Sequence, residues 1–319
     1  MQYFEMPVVV DLVSSKLTGG LDLRLFRTFL LDPVNPFETL DREKDLPAAA
    51  RQGRFGAVKW IHSCMKADPK KGDARVFDRV CFEAASGGHL EVLVWARENG
   101  WNYMTCTHPA VKYGHLDCLR WAHENGCPLD RDSCIFAARG GHLDCLKYAR
   151  ENGCDWDART CTQAALSGQL ECLKWARENG CPLAGQTCMY AAEGGSLECL
   201  KWARDNGCPL EKKDTCTKAA EHGNLECLKW ARENGCDWDE WTCAYAAGNG
   251  HLDCLKWARQ NGCPWDKWTC AFAAEKVERN KLVLEKDGGW YDEWIRAYAA
   301  EKDRVTECLR WARENGCPE

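Results

Sequence analysis

Residues Leu170 to Gly180 read LECLKWARENG, and the rest of the chain is organised around copies of this stretch. Near-copies open at Leu90, Leu116, Leu143, Leu197, Leu225 and Leu252, so a unit of about 27 residues recurs at a nearly fixed interval. A period in this range marks a solenoid. One such unit is too short to bury its own apolar face. Stacked units bury one another, and stability then arises from neighbour contacts along a line.

Within the stretch, Leu170, Leu173 and Ala176 share one stripe at helical spacing, widened by Cys172 and Trp175. That face is broader than a surface helix needs, which fits a helix covered by neighbours before and after it. Glu171, Lys174 and Glu178 lie opposite, where Lys174 is spaced to pair with both acids. Asn179-Gly180 predicts a left-handed stop. Upstream, Thr160 is expected to cap a first helix that ends at Gly168, and the small Ala164-Ala165 pair lets another helix approach closely. The position before the second helix holds Gln169, His142, Ser196, Asn224 or His251 in different units. These residues share only polarity, so the position wants a hydrogen-bonding group near the unpaired N–H groups of a helix start. The histidines there read as helix-entry residues, not metal ligands.

The chain has 319 residues and 23 cysteines. The cysteines recur at three places per unit, as at Cys161, Cys172 and Cys181, with no Cys-x-x-Cys pair. Zinc sites usually need such close pairs. The pattern therefore predicts reduced, buried core filler without a metal, rather than a disulfide framework. Trp95, Trp121, Trp175, Trp202, Trp230, Trp257 and Trp311, with Tyr148 in one slot, sit beside Leu and Cys at helical spacing, which predicts packing rather than a base-stacking platform. Net charge is −6, from 42 basic and 48 acidic residues, and no long Lys/Arg run occurs. That argues against nucleic acid or an anionic membrane as the main partner. No secretory signal or membrane-spanning stretch is recognisable, so a cytoplasmic or nuclear, non-secreted chain is expected.

Residues 1–46 do not repeat. Their apolar pattern predicts a helical cap over the open end of the stack. Met6-Pro7, the spaced Val and Leu residues and Asp22-Leu23 also resemble an F-box helix cluster. Units fill residues 47–319. The first is degenerate, with an insertion from about Lys66 to Asp78. The ninth, about 270–289, is degenerate too, and a last unit closes at Ala312. About ten helix-turn-helix units result, in an all-α solenoid.

The run Ala137-Ala138-Arg139-Gly140-Gly141-His142-Leu143, closing on Glu151-Asn152-Gly153-Cys154, resembles the ankyrin repeat. It is similar to the divergent, Trp- and Cys-rich ankyrin arrays of some large DNA viruses, algae and oomycetes. The family period is about 33 residues. The missing residues fall where the family builds a β-hairpin finger, so those fingers are expected to be reduced or absent.

The resemblance places the connector and first helix of each unit on a concave, partner-binding face. The variable positions there are Arg159, Gln186, Asp214, Trp241 and Trp268 before the Thr-Cys mark, and Gln163, Tyr190, Lys218, Tyr245 and Phe272 inside the first helix. Aromatics are favoured at binding hot spots, and they cluster in the seventh to ninth units. No phosphate loop, nucleophile elbow or zinc signature appears. The expected function is a non-catalytic, monomeric protein-binding scaffold without a cofactor. The alternative is a ubiquitin-ligase substrate adaptor that docks through residues 6–46.

Overall fold

A computed structural model describes residues 42–66, 74–210, 214–286 and 292–318. The F-box-like segment and most of the expected N-terminal cap lie outside these residues, as does part of the insertion after Lys66. The described residues form 18 helices and no strand. In chain order these are α1 Arg42–Arg51, α2 Phe55–Lys66, α3 Ala74–Gly87, α4 Leu90–Glu98, α5 Thr107–Tyr113, α6 Leu116–Glu124, α7 Arg131–Gly140, α8 Leu143–Glu151 and α9 Ala158–Leu166. Then follow α10 Leu170–Glu178, α11 Thr187–Glu193, α12 Leu197–Asp205, α13 Asp214–Glu221, α14 Leu225–Glu233, α15 Glu240–Gly248, α16 Leu252–Gln260, α17 Lys267–Lys286 and α18 Asp292–Glu314. They pair into nine helix-turn-helix units of an ankyrin-like α-solenoid.

The chain divides into two compact units. The first holds residues up to 133 together with 147–152; the second holds 134–146 and everything from 153 onward. In each, neighbouring first helices meet along their length, whereas neighbouring second helices touch sparingly. The alanine pairs permit this: Ala164, Ala165, Ala191, Ala192, Ala219 and Ala220 are fully buried. A methyl group is all that separates the backbones there. The second helices from α4 to α16 each contribute one fully buried leucine, with Leu173, Leu200, Leu228 and Leu255 in succession. The first unit adds an aromatic knot in which His62 meets Trp95 and Trp101 at 5.0 Å and Trp101 stacks on Phe77 at 4.5 Å.

Each second helix ends as its Asn-Gly pair dictates. Asn179 Nδ2 donates to Trp175 O at 2.8 Å, Gly180 adopts φ +87°, and Cys181 N–H reaches back to Ala176 O at 2.9 Å. Only glycine takes that φ without strain, and the long backward bond satisfies a carbonyl the helix leaves open. The closing cysteine then fastens the end of its unit to the beginning. Cys181 Sγ donates to Asp157 O at 3.2 Å, and Cys263 Sγ to Asp239 O at 3.3 Å. The second-helix tryptophans pack as expected. Trp175 meets Trp156 edge-on at 5.7 Å, and Trp257 meets Trp238 at 5.7 Å.

The first-helix cap is not Thr160. Asp157 caps α9, its Oδ1 accepting from Arg159 N–H at 2.9 Å, and Asp239 and Asp266 do the same for Trp241 and Trp268. Thr160 lies inside the helix and is fully buried. Where Ala184-Gly185 replaces the Asp, the helix starts only at Thr187. On the outer side of α10, Lys174 pairs with Glu171 at 3.0 Å but not with Glu178.

The helix-entry residues also act differently from the expectation. Only Ser196 caps its own helix among the second helices whose entry geometry is described. His89, His115 and Asn224 instead reach backward to the carbonyls that end the preceding first helix. His89 Nε2 lies 3.0 Å from Arg51 O and His115 Nε2 3.0 Å from Ser86 O; Asn224 Nδ2 donates to Ala192 O at 2.9 Å and Glu193 O at 2.7 Å. The glycine one unit earlier makes the room. A Cβ on Gly195, at φ +74°, would lie 2.6 Å from Asn224 Oδ1, and one on Gly88 would lie 2.5 Å from His115 Nδ1. Asn224→Leu removes both bonds and strands Glu193 O. It is expected to lower stability by about 2 kcal/mol, read from a urea titration, while Asn224→His changes little because histidine serves the same position elsewhere.

His251 gives this joint a pH dependence. Burial holds its ring below the ordinary histidine value of 6.5, Arg304 and His222 push the same way, and its bond to Glu221 backbone opposes them. The folded state thus binds fewer protons than the unfolded chain over this range. Stability is full above about pH 6.5 and falls as pH drops through the lowered folded value. The urea midpoint should decline between pH 7.5 and 5.5 in the wild type and decline less in His251→Gln, the residue that Gln169 supplies in another unit.

The C-terminal end resolves the unit count. The described residues of the degenerate ninth unit extend α17 to Lys286 and start no second helix. A Cβ on Gly250 would meet Arg304 Cβ at 2.7 Å and Val305 N at 3.1 Å, which puts Val305 in the entry position of the ninth pair. Cys317 Sγ donates to Asp266 O at 3.4 Å, closing that pair as Cys263 closes the eighth. The last two repeats of the sequence are therefore one unit with lengthened helices, tied further by Lys276 and Glu301 at 3.0 Å.

Candidate protein-binding surface

All ten variable positions belong to the second compact unit. Arg159 stands exposed at the start of α9, but its guanidinium bonds Asp157 at 3.1 Å. Gln186 and Asp214 are exposed, and Gln163 and Tyr190 are half-buried. Among the described residues, these five make no hydrogen bond or ring contact with one another.

The other five form a continuous group. Trp241 lies 6.4 Å from Trp268 with their planes 21° apart. Phe272 meets Trp241 at 5.8 Å and Tyr245 at 5.7 Å, both edge-on, and Tyr245 lies 5.9 Å from Trp241. Their sequence spacing explains the contact. Trp241 and Trp268 are one period apart, as are Tyr245 and Phe272, so packing of α15 on α17 brings like positions side by side. Gly248 lies beneath this group, where a Cβ would stand 3.4 Å from Phe272 Cδ1, an ordinary contact. Trp268 is 45% exposed, and the other three rings are half-buried.

Lys218 adjoins this group. Its Nζ lies 2.7 Å from Glu221 Oε2. That hydrogen bond, with Glu221, Glu193 and Tyr245 nearby, raises its pKa above the ordinary lysine value against the opposing effect of burial. The surface thus offers four rings beside a charged lysine paired with Glu221 and a second acid, Glu193. Glu193 and Glu221 were not among the ten positions: Glu221 shares α13 with Lys218, and Glu193 comes near it only through the packing of neighbouring first helices. The Thr217–Thr242 hydroxyl bond of 3.2 Å between α13 and α15 carries no single-residue signal at all. Among the described residues, no group of three or more His, Cys, Asp or Glu is arranged to hold a metal ion, and no helix is long and apolar enough to cross a membrane.

One family model agrees with the architecture. The family model for ankyrin repeats in many copies matches residues 108–149, 134–177 and 216–259. Among solved structures, the human ASB11 ankyrin repeat domain is similar at 19% identity with a TM-score of 0.45, covering 59% of this chain and 97% of that one. No curated protein matches. The chain is a divergent ankyrin-repeat protein, built from repeats shorter than the family norm. Ankyrin repeats are in general protein-interaction modules.

Proposed function

We propose that the chain is a non-catalytic scaffold that binds another protein along the first-helix face of its second compact unit, with Trp241, Tyr245, Trp268 and Phe272 as the main contact. One observation carries this reading. Four aromatic side chains gather on a face whose packing does not require them, because equivalent positions in other units hold Arg159, Gln163, Gln186 and Lys218. Exposed aromatic area of this kind marks interaction sites, and burial of such rings dominates the energy of interfaces. The acidic composition supports a protein partner over nucleic acid. The reading carries a monomer of the cytoplasm or nucleus.

The experiment compares proteins retained from a lysate of the source cell by the full chain and by its Trp268→Ala/Tyr245→Ser form. Retention of one discrete protein by the wild type and its loss in the double variant supports the proposal. Equal retention by both, or retention by neither, overturns it.

A further inference from the structure

The thiols of the second compact unit fall into two sets. Cys199 and Cys227 lie on second helices, one apiece, facing the stack. The other set comes in pairs, a first-helix cysteine with the closing cysteine of the same unit. Cys134 Sγ and Cys154 Sγ are 3.2 Å apart. Cys188 N–H donates to Cys208 Sγ at 3.3 Å, and Cys188 Sγ lies 3.6 Å from Cys208 O. Cys216 Sγ lies 3.9 Å from Cys236 O.

These pairs hold more polar groups than core filler needs. The hydroxyls of Thr160, Thr215 and Thr269 are buried and have no hydrogen-bond partner of ordinary geometry. They sit beside the sulfurs of Cys181, Cys236 and Cys317 respectively. A methyl group would fill the same space, so packing alone does not call for a hydroxyl beside the sulfur. The segments that carry the closing cysteines reach the surface, although the thiols themselves are covered. Cys181 is buried, yet Gly180 before it and Pro182 after it are exposed. Cys208 stands likewise between exposed Gly207 and Pro209.

We infer that the first-helix and closing cysteines of each unit, as in Cys134–Cys154, Cys161–Cys181 and Cys216–Cys236, are thiol–disulfide sites that a small-molecule disulfide oxidises to intramolecular cystines. The closing cysteine attacks first. Its thiolate takes one sulfur of the reagent, the reagent's S–S bond breaks, and one small thiolate leaves. The first-helix cysteine, losing its proton, then attacks the closing sulfur of the mixed disulfide and expels the second small thiolate. The two protons released by the protein go to the two departing thiolates, so the protein pair loses two electrons and the reagent gains them. Little movement is required, because a disulfide sets its sulfurs at about 2.05 Å, roughly 1 Å closer than Cys134 and Cys154 already stand.

At two of the pairs the surroundings favour this order, whereas burial pushes the closing Cys317 up to about 12. The Cys161 thiol, donating to Cys181, lowers the pKa of Cys181, with the Cys161 N–H and Thr160 hydroxyl assisting and burial opposing. Cys236 is lowered in the same way, first by Cys216. Second-helix thiols lack this help. Burial pushes Cys227 up to about 11 and Cys254 up to about 12. Only thiolates attack disulfides, so the second set stays inert near neutral pH.

The test treats the folded full chain with oxidised glutathione, blocks remaining thiols with N-ethylmaleimide, and maps linked peptides by mass spectrometry without reduction. Links between cysteines 20 residues apart should predominate, roughly tenfold over any link through Cys199 or Cys227, with unchanged helical circular dichroism and a raised melting temperature. Links through the second-helix thiols at equal yield, links between chains only, or fully alkylated pairs overturn the inference. In Cys161→Ser, Cys181 should be recovered as the mixed disulfide with glutathione; recovery of Cys181 as an alkylated thiol overturns the order of attack. The outcome is independent of any binding partner.

Discussion

Leu200→Ala lowers the stability of the folded chain by about 3 kcal/mol and splits its single unfolding transition. Leu200 is fully buried in α12, with α10 before it and α14 after it. Truncating such a leucine forfeits its transfer energy and leaves a cavity, typically about 3–5 kcal/mol together. In a linear array this loss falls on two neighbour interfaces at once. The first helices still join the units on either side, but the weakened unit between them lets the two ends unfold out of step. Urea titration followed by circular dichroism reads both effects. Leu309→Ala is the control: Leu309 occupies the same position in the last described unit, retains 8% exposure, and has one described neighbour to lose. A Leu200 variant that unfolds in one step at the wild-type midpoint defeats the nearest-neighbour account.

Trp268→Ala weakens the partner complex roughly 30-fold, corresponding to about 2 kcal/mol, and leaves stability almost unchanged. Trp268 is the most exposed ring of its group and stacks only on Trp241 and beneath the chain's own Lys267, at 5.4 Å. Trp265, three residues earlier, provides the contrast. It packs edge-on against Trp311 at 5.9 Å with the Arg259 guanidinium 4.5 Å above its ring. Trp265→Ala should lower the urea midpoint and affect binding no more than that loss explains. Calorimetric titration of the retained partner against both variants distinguishes them. Equal effects of the two on affinity would mean that the rings of α15 and α17 form no contact surface.

How much of this was legible in the residues follows from where each interaction closes. Interactions inside one unit were readable. The stripe of Leu170, Leu173 and Ala176, the Asn179-Gly180 stop and the small Ala164-Ala165 pair all act within one or two helices, and each behaves as its spacing implies. The aromatic group was readable as well, because a fixed period aligns Trp241 with Trp268 and Tyr245 with Phe272. Interactions that span units were not. Asn224 looked like a cap because its sequence neighbours are a helix start, yet its partners lie more than 30 residues back. Thr160 looked like a cap because threonine favours that role, but Asp157 begins the helix a turn earlier and leaves Thr160 to the interior. The last unit was split in two because the stretched helices of α17 and α18 separate marks that elsewhere stand 27 residues apart.

The glycine that vacates space for the next unit's His, Gln, Ser or Asn has a consequence for how such a chain changes over generations. It is a socket with a tolerant plug, present at every joint and indifferent to which of several side chains enters. Whole units can be duplicated, dropped or exchanged by recombination, and each new junction still mates. A cut made halfway through a unit breaks the fit on both sides, so growth by complete modules is the path left open.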